Sequence, residues 1–203
     1  MKLYFSPGAC SLSPHIVLLE SGLPFESEQV DLRAKTTASG DDFTAINPKG
    51  YVPALRLDGG LVLTEGPAIV QYVADLAPEK HLAPLAGSLG RYKLAEWLNF
   101  ISTEIHKSFG PLFKPDASEE MKQAARANLA KRFPTVAAAL EGSLYLMGDQ
   151  FIVADAYLFT VLNWAAKVNV DLSPWPALQR FQQRVAARPA VQQALREEGL
   201  LAA

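Results

Sequence analysis

Short apolar runs and polar turns alternate through the first 80 residues, a pattern typical of strands and helices that follow one another. The turns carry Ser-Pro-Gly at 6–8, Ser-Gly at 21–22 and Asp-Gly-Gly at 58–60, and the last of these favours a hairpin. The predicted elements are a strand over 2–5, a helix over 13–20, a strand over 25–32, hairpin strands over 54–57 and 61–64, and a helix over 65–76 capped by Thr64. A loop separates the second strand from the hairpin.

Beyond Ala77-Pro78 the strand pattern disappears and helical periodicity takes over. The predicted helices cover 88–108, a segment opened by Ser118 and interrupted or kinked at Pro134, an apolar segment over 155–168, the segment 175–187, and a short C-terminal stretch after Arg188-Pro189. We therefore expect an α/β domain over 1–80 followed by an all-helical domain over 81–203.

Composition narrows the class of protein. Of the 203 residues 49% are hydrophobic, and the formal net charge of -2 argues against a nucleic-acid-binding protein, which normally carries a basic excess. The most apolar stretch, 157–168, is too short to cross a membrane, and Pro7 and Gly8 lead us to expect no signal peptide in the first ten residues. The single cysteine, Cys10, excludes an intrachain disulfide, so we expect a soluble cytoplasmic protein without membrane association.

Cys10 is the first candidate for chemistry because it lies where the first strand turns into the first helix. Backbone N–H groups and the helix dipole favour a negative charge at a helix start, so we expect the pKa of its thiol to be lowered. Pro14 suits this first turn, because proline removes only a donor that has no helical partner there. The alternative interpretation is a small buried residue without chemistry.

The segment Val52-Pro53 precedes the hairpin and is the second candidate. A cis peptide at this proline would expose the backbone of Val52, and an extended peptide could then pair with its N–H and C=O. The alternative is an ordinary turn before a strand, and the residues alone do not decide between the two.

A third candidate is the helix start at Glu65-Gly66. Free N–H groups at a helix start bind a carboxylate, and the Glu65 carboxylate beside them could bind an ammonium group. Together they match the two charges of an amino-acid headgroup. An acidic residue that merely stabilises a first turn is an equally common arrangement.

The helix over 88–108 carries two stripes when it is drawn with ideal helical geometry. Leu94, Leu98, Ile101 and Ile105 form an apolar stripe, and Asn99, Thr103 and His106 form a polar one. The polar stripe suggests the lining of a cleft, in which His106 would accept a proton or donate a hydrogen bond and Lys107 would add positive potential. A solvated histidine is the alternative interpretation, and His15 and His81 are interpreted as structural.

In their order along the chain, these features resemble a cytosolic glutathione S-transferase, with a thioredoxin-like first domain and a helical second domain. The segments KLYFSPGACSLSPHIVLLE and ALRLDGGLVLTEGPAIVQYVAD resemble the bacterial beta class in particular, including the type encoded beside biphenyl-degradation enzymes. The resemblance covers the whole chain.

The resemblance implies a role for individual positions. Cys10 matches a cysteine that lies against the glutathione sulfur and can form a mixed disulfide with it, and His106 is the second catalytic candidate. The positions that match the glutathione site of this class are Cys10, Lys35, Val52, Pro53, Glu65, Gly66, Asn99, Thr103, Glu104, His106 and Lys107. Pro53 matches a cis-proline and Lys35 a basic residue near the glycyl carboxylate. Gly66 stands where many other classes have serine.

The function that the resemblance implies is transfer of glutathione, as co-substrate, to a small hydrophobic electrophile by a homodimer that has no metal and no permanently bound cofactor. Two alternatives stay open: a glutathione-dependent thiol-disulfide oxidoreductase or reductive dehalogenase that uses Cys10, and a non-catalytic glutathione-binding protein. The identity of the electrophile is not encoded in apolar cleft residues.

One residue departs from the family pattern. The family usually carries serine or threonine three residues before the aspartate that matches Asp155, whereas this chain has Ile152. The lost helix cap is expected to cost about 1 kcal/mol of stability.

Overall fold

The computed structural model describes residues 1–201 and divides the chain into two compact units. Of the described residues, the first unit contains 1–83 together with 187–201, and the second contains Pro84–Ala186. The sequence predicts a helical domain from residue 81 to the end of the chain. The last helix differs from this prediction: it packs against the first helix of the first unit and so belongs to that unit.

The first unit is built around a mixed five-stranded sheet. Its elements are β1 (Lys2–Phe5), α1 (Leu12–Ser21), β2 (Glu26–Asp31), β3 (Thr36–Thr37), α2 (Phe43–Ile46), β4 (Ala54–Arg56), β5 (Val62–Thr64), α3 (Gly66–Leu76) and a 3-10 turn (Pro78–Lys80). The strand order is β3-β2-β1-β4-β5, in which only β1 and β2 are parallel. The predicted strands and both long helices are confirmed. The two-residue β3 and the single-turn α2 are too short to show a periodic pattern, and they were not predicted.

The antiparallel pairing of β1 with β4 decides which loops meet. Tyr4 lies opposite Ala54 in this register, so the chain leaving β1 runs beside the chain that enters β4. The predicted cysteine turn and the predicted Val52-Pro53 segment occupy those two positions. Strand pairing therefore brings together two sequence features that are separated by about forty residues.

A C-terminal helix from the far end of the chain secures the turn that carries Cys10. Glu197 is the last residue of α10 (Pro189–Glu197), and Glu198 follows it. The Glu197 carboxylate lies 2.8 Å from His15 Nε2, and the Glu198 carboxylate lies 3.0 Å from His15 Nδ1, each at hydrogen-bond distance. The Glu198 carboxylate also accepts a hydrogen bond from the Gly8 N–H at 2.8 Å. Burial alone would lower the pKa of His15, but these hydrogen bonds and charges outweigh burial and raise it.

The second unit, Pro84–Ala186, contains helices joined by loops and no named β-strand. Its helices are α4 (Leu89–Phe100), a π-helical segment (Ile101–His106), α5 (Lys107–Phe113), α6 (Glu119–Leu140), α7 (Val153–Leu162), α8 (Trp164–Lys167) and α9 (Pro176–Ala186). Ser88 and Ser118 cap α4 and α6 with their side chains. No helix among residues 1–201 is both long and apolar enough to span a membrane.

Two details of these helices differ from the prediction. Of the two alternatives at Pro134, an interruption or a kink, the interruption is wrong, because α6 continues through this proline; the kink stays a prediction. The predicted helix over 88–108 does form, but it changes to π geometry after Phe100 and then extends to Phe113. A π segment accommodates an extra residue per turn, so it shifts the phase of every residue that follows it.

The core of the second unit is α7, all ten residues of which are buried. Ile152 occupies its N-cap and makes no side-chain cap bond, as expected from the sequence. Asp155 compensates from inside the first turn: its carboxylate accepts the Ile152 N–H and the Leu146 N–H, each at 2.9 Å. One fully buried carboxylate thus fixes both the helix start and the preceding loop.

We predict that Asp155→Ala lowers the free energy of unfolding by about 2–4 kcal/mol, since it leaves two buried backbone donors without this acceptor. Denaturant unfolding followed by circular dichroism measures the difference. Asp116→Ala is the matched control, because Asp116 is an exposed aspartate of the same unit. Equal losses for the two variants would contradict the role assigned to Asp155.

Candidate active site

Cys10 lies in the turn between β1 and α1, two residues before the first residue of the helix. Its thiol is partly buried and donates a hydrogen bond to the Val52 carbonyl, with Sγ 3.3 Å from the oxygen. The side chain of Ser11 holds the turn by bonding to the N–H and the C=O of Ser6. The structure thus confirms the predicted location of Cys10; the lowered pKa of its thiol stays a prediction.

The loop before β4 is held by a buried amide. Asn47 is 1% exposed, donates from Nδ2 to the Tyr51 carbonyl at 2.7 Å, and accepts the Lys49 N–H at 3.1 Å. The Val52–Pro53 peptide is cis, as the sequence suggested. These bonds fix the backbone around Val52, which is the edge that an extended peptide would use.

Glu65 is the N-cap residue of α3 and has a left-handed backbone, with φ of 69°. The predicted cap by Thr64 is wrong, because Glu65 occupies the cap position and the Thr64 hydroxyl instead accepts from Lys49 Nζ at 2.9 Å. The Glu65 carboxylate accepts hydrogen bonds from Lys49 Nζ at 2.7 Å and from the Tyr51 hydroxyl at 2.8 Å. These bonds raise the pKa values of both Lys49 and Tyr51.

Lys35 and Gly66 complete the candidate residues of the first unit. Lys35 also has a left-handed backbone, and its Nζ donates to the Gly50 carbonyl at 2.6 Å, which places a cation beside the same loop. Gly66 opens α3, and a Cβ added there would lie 3.8 Å from Pro53, an ordinary contact. Cys10, Lys35, Val52, Pro53, Glu65 and Gly66 therefore belong to one unit, linked through the loop over 47–53.

The remaining candidates lie in the second unit and do not form one continuous stripe. Asn99 and Thr103 are exposed, and the Thr103 hydroxyl bonds to the Asn99 carbonyl within the helix. Glu104 forms an ion pair with Arg132 at 2.6 Å. Lys107 is exposed, immediately after the π segment.

His106 departs from the predicted polar stripe because it is the last residue of the π segment and faces other side chains of its own unit. Nδ1 shares a hydrogen bond with the Tyr157 hydroxyl at 2.7 Å, and Trp164 packs edge-on with its ring centroid 4.8 Å away. Burial, with a smaller contribution from the charge of Lys107, lowers the pKa of His106 to about 4. The imidazole is therefore neutral at physiological pH.

Several residues of these surroundings were missed by the sequence analysis, among them Lys49, Tyr51, Arg132, Tyr157 and Trp164. The segment over 47–53 did contain a signal, since a lysine and a tyrosine flank the glycine before Val52. Tyr157 and Trp164 lie in an almost wholly apolar helical stretch and looked like core residues. Among residues 1–201, no cluster of three or more histidine, cysteine, aspartate or glutamate side chains is suited to hold a metal ion.

Comparison with protein families matches both parts of the chain. The glutathione S-transferase N-terminal domain matches residues 8–76, and the glutathione S-transferase C-terminal domain matches residues 100–189. The glutathione S-transferase GstA of Escherichia coli O157:H7 is 52% identical over 200 residues, covering 98% of this chain and all of the relative.

Solved structures agree with this result. A ternary complex of BphK, a bacterial glutathione S-transferase, is 64% identical with a TM-score of 0.97, covering 98% of this chain and 100% of that one. A sphingomonad glutathione S-transferase complexed with glutathione is 48% identical with a TM-score of 0.95, covering 99% and 100%. The chain therefore belongs to the glutathione S-transferase family, and its similarity extends to a bacterial beta-class structure.

We predict that His106 does not titrate between about pH 8 and pH 5.5, because its pKa lies near 4 rather than at the usual value of about 6.5. Nitrogen-15 NMR of the histidine-labelled protein measures this directly, and the His106→Gln variant assigns the resonance. A titration midpoint close to 6.5 for the assigned signal would contradict the neutral state of this partly buried ring.

Proposed function

We propose that this glutathione transferase binds glutathione along its first unit and activates the glutathione thiol for attack on a small hydrophobic electrophile. The observation that carries the proposal is the 3.3 Å contact between Cys10 Sγ and the Val52 carbonyl, beside a cis-Pro53. A backbone edge for an extended peptide and a thiol thus adjoin each other. The complex of the 48% identical sphingomonad relative with glutathione supports the choice of ligand.

Each part of glutathione has a matching group in the first unit. The cysteinyl backbone pairs with Val52 as an added strand would. The γ-glutamyl ammonium forms an ion pair with the Glu65 carboxylate, and the γ-glutamyl carboxylate accepts hydrogen bonds from the N–H groups at the start of α3. Lys35, which already donates to the Gly50 carbonyl, supplies the cation for the glycyl carboxylate.

The reaction requires the glutathione sulfur as a thiolate. Its lone pair forms a bond to the electrophilic carbon. In a substitution, the leaving group departs with its electron pair. In an addition, the electron pair of the attacked double bond moves away from that carbon. Cys10 and His106 are the proposed catalytic residues. Because the pKa of His106 is about 4, we assign this imidazole a hydrogen-bonding role and assign the positive potential to Lys107.

A second chemistry is favoured by the partly exposed thiol of Cys10. The Cys10 thiolate attacks the glutathione sulfur of a mixed disulfide between glutathione and another thiol compound; a Cys10–glutathione disulfide forms, and the other compound leaves as a thiolate. A second glutathione thiolate then attacks the Cys10–glutathione disulfide, which releases oxidised glutathione and returns Cys10 to its reduced form. The mixed-disulfide substrate is reduced and two glutathione units leave as the oxidised dimer, so electrons balance.

We also propose that the enzyme is a cytoplasmic homodimer. The resemblance assigns α3 and α4 to the faces that meet across a two-fold axis, with Asn99, Thr103 and Glu104 near the glutathione of the partner subunit. Large apolar side chains on both helices support this: Leu76 is 45% exposed, Leu89 77% and Tyr92 67%. Exposed apolar surface of this kind is typical of an interaction site.

We expect Glu65→Gln to weaken glutathione binding by roughly 30-fold or more, since the ligand ammonium then loses its charged partner at a cost of about 2 kcal/mol or above. Isothermal titration calorimetry compares it with wild type and with Glu26→Gln, an exposed control in the same unit. Light scattering on the same samples should give about twice the mass of the chain. Equal affinities for Glu65→Gln and wild type would exclude Glu65 from the headgroup site.

Cys10→Ala should separate the two chemistries. Disulfide reduction should be abolished, because it needs a covalent sulfur nucleophile, whereas conjugation should fall by less than about tenfold, because the other groups still stabilise the glutathione thiolate. Activity assays with both substrate types measure the ratio. Intact mass after treatment of wild type with oxidised glutathione should show one adduct, which a reductant removes. Absence of this adduct, with conjugation unchanged in the variant, would exclude Cys10 from both reactions.

A further inference from the structure

The carboxylate proposed to hold the ligand ammonium already has a cationic partner within the chain. Lys49 Nζ lies 2.7 Å from Glu65 Oε1, and both side chains are about half exposed, at 47% and 53%. We propose that Lys49 is a specificity-determining residue that makes this site select a headgroup carrying both an ammonium and a carboxylate. This inference rests on the proposed binding of glutathione.

The backbone of Lys49 is fixed although its side chain is partly exposed. Its N–H bonds to the buried Asn47 side chain, whose other end bonds to the Tyr51 carbonyl. The tip of the side chain can move, because its contacts with Glu65 and Thr64 lie at the surface and can be exchanged for others. A lysine side chain can reach a new partner a few ångströms away without any change in the loop.

Tyr51 explains how Glu65 stays in position when the lysine moves. Its hydroxyl donates to the same oxygen, Glu65 Oε1, at 2.8 Å. The left-handed backbone of Glu65 at the start of α3 fixes where its side chain begins. Tyr51 and Lys49 both hold the carboxylate, and Lys49 carries a positive charge that competes with a ligand ammonium.

The balance of charge gives the selectivity. A ligand with only an ammonium must displace Lys49 from Glu65, and it leaves the lysine beside a second cation. A ligand with only a carboxylate can pair with Lys49, but it leaves Glu65 beside a second anion. A zwitterionic headgroup satisfies both, because its ammonium pairs with Glu65 while its carboxylate, bound by the N–H groups at the start of α3, also pairs with the displaced Lys49, whose Nζ already lies beside this helix start on Thr64 and Glu65. Neither singly charged headgroup allows this exchange.

The test measures dissociation constants of Lys49→Met for three tripeptides by calorimetry. The first is glutathione. The second carries γ-aminobutyrate in place of γ-glutamate, so it keeps the ammonium and lacks the α-carboxylate. The third carries glutarate in place of γ-glutamate, so it keeps the carboxylate and lacks the ammonium. We expect the variant to bind the γ-aminobutyryl analogue more tightly and the glutaryl analogue more weakly, by roughly twofold to fivefold in opposite directions. Both shifts should shrink as the salt concentration rises.

Two further variants show whether charge is responsible. Lys49→Arg keeps the charge and should restore the wild-type order of affinities. Lys122→Met removes a lysine that forms a similar ion pair with Glu119, at 3.0 Å in the second unit, and should change none of the three constants.

The outcomes separate this inference from the proposed function. If wild type binds glutathione and Glu65→Gln weakens that binding, but Lys49→Met shifts both analogues in the same direction or neither, the role of Lys49 is excluded and the glutathione site stands. If wild type does not bind glutathione, both proposals fall together.

Discussion

The antiparallel pairing of β1 with β4 is the constraint on which the candidate site depends. Because Tyr4 faces Ala54, the residues after β1 and the residues before β4 must lie at the same edge of the sheet. The Cys10 thiol meets the Val52 carbonyl for this reason. A shift of this register by one residue would reverse the face of every side chain on the strand and separate the two groups.

The turn that carries Cys10 is short and polar, and its geometry depends on the opposite end of the chain. Glu198 binds both the Gly8 N–H and the buried ring of His15, so a carboxylate 190 positions away in sequence holds the backbone beside the thiol. Burying this carboxylate is tolerable because it is paired and hydrogen-bonded. The C-terminal segment thus serves the first unit, although it follows the helical unit in the chain.

The candidate residues of the two units lie in different electrostatic environments. In the first unit, Lys35 and Glu65 lie beside the loop that enters β4, and Lys49 belongs to this loop. In the second unit, His106 is neutral because it is buried against Tyr157 and Trp164. The candidate residues of the first unit are therefore charged groups, whereas the candidate histidine of the second unit is a neutral ring.

Periodicity and turn residues in the sequence by themselves determined the strands β1, β2, β4 and β5, the long helices, and the locations of Cys10 and Val52-Pro53. These features are local, since the spacing of apolar residues within a short segment favours one type of secondary structure, whatever the segment later packs against. The buried stripe of Leu94, Leu98, Ile101 and Ile105 was predictable for the same reason.

Only the tertiary structure decided the partners of those features. The π segment shifted the phase of the helix and turned His106 toward Tyr157, which an ideal helical wheel cannot show. Lys49 and Tyr51 became partners of Glu65 because the hairpin folds the loop over 47–53 back onto the start of α3. The last helix joined the first unit through His15 and α1. Such contacts link residues that are distant in sequence, and the local pattern of polar and apolar residues does not show which distant residues will meet.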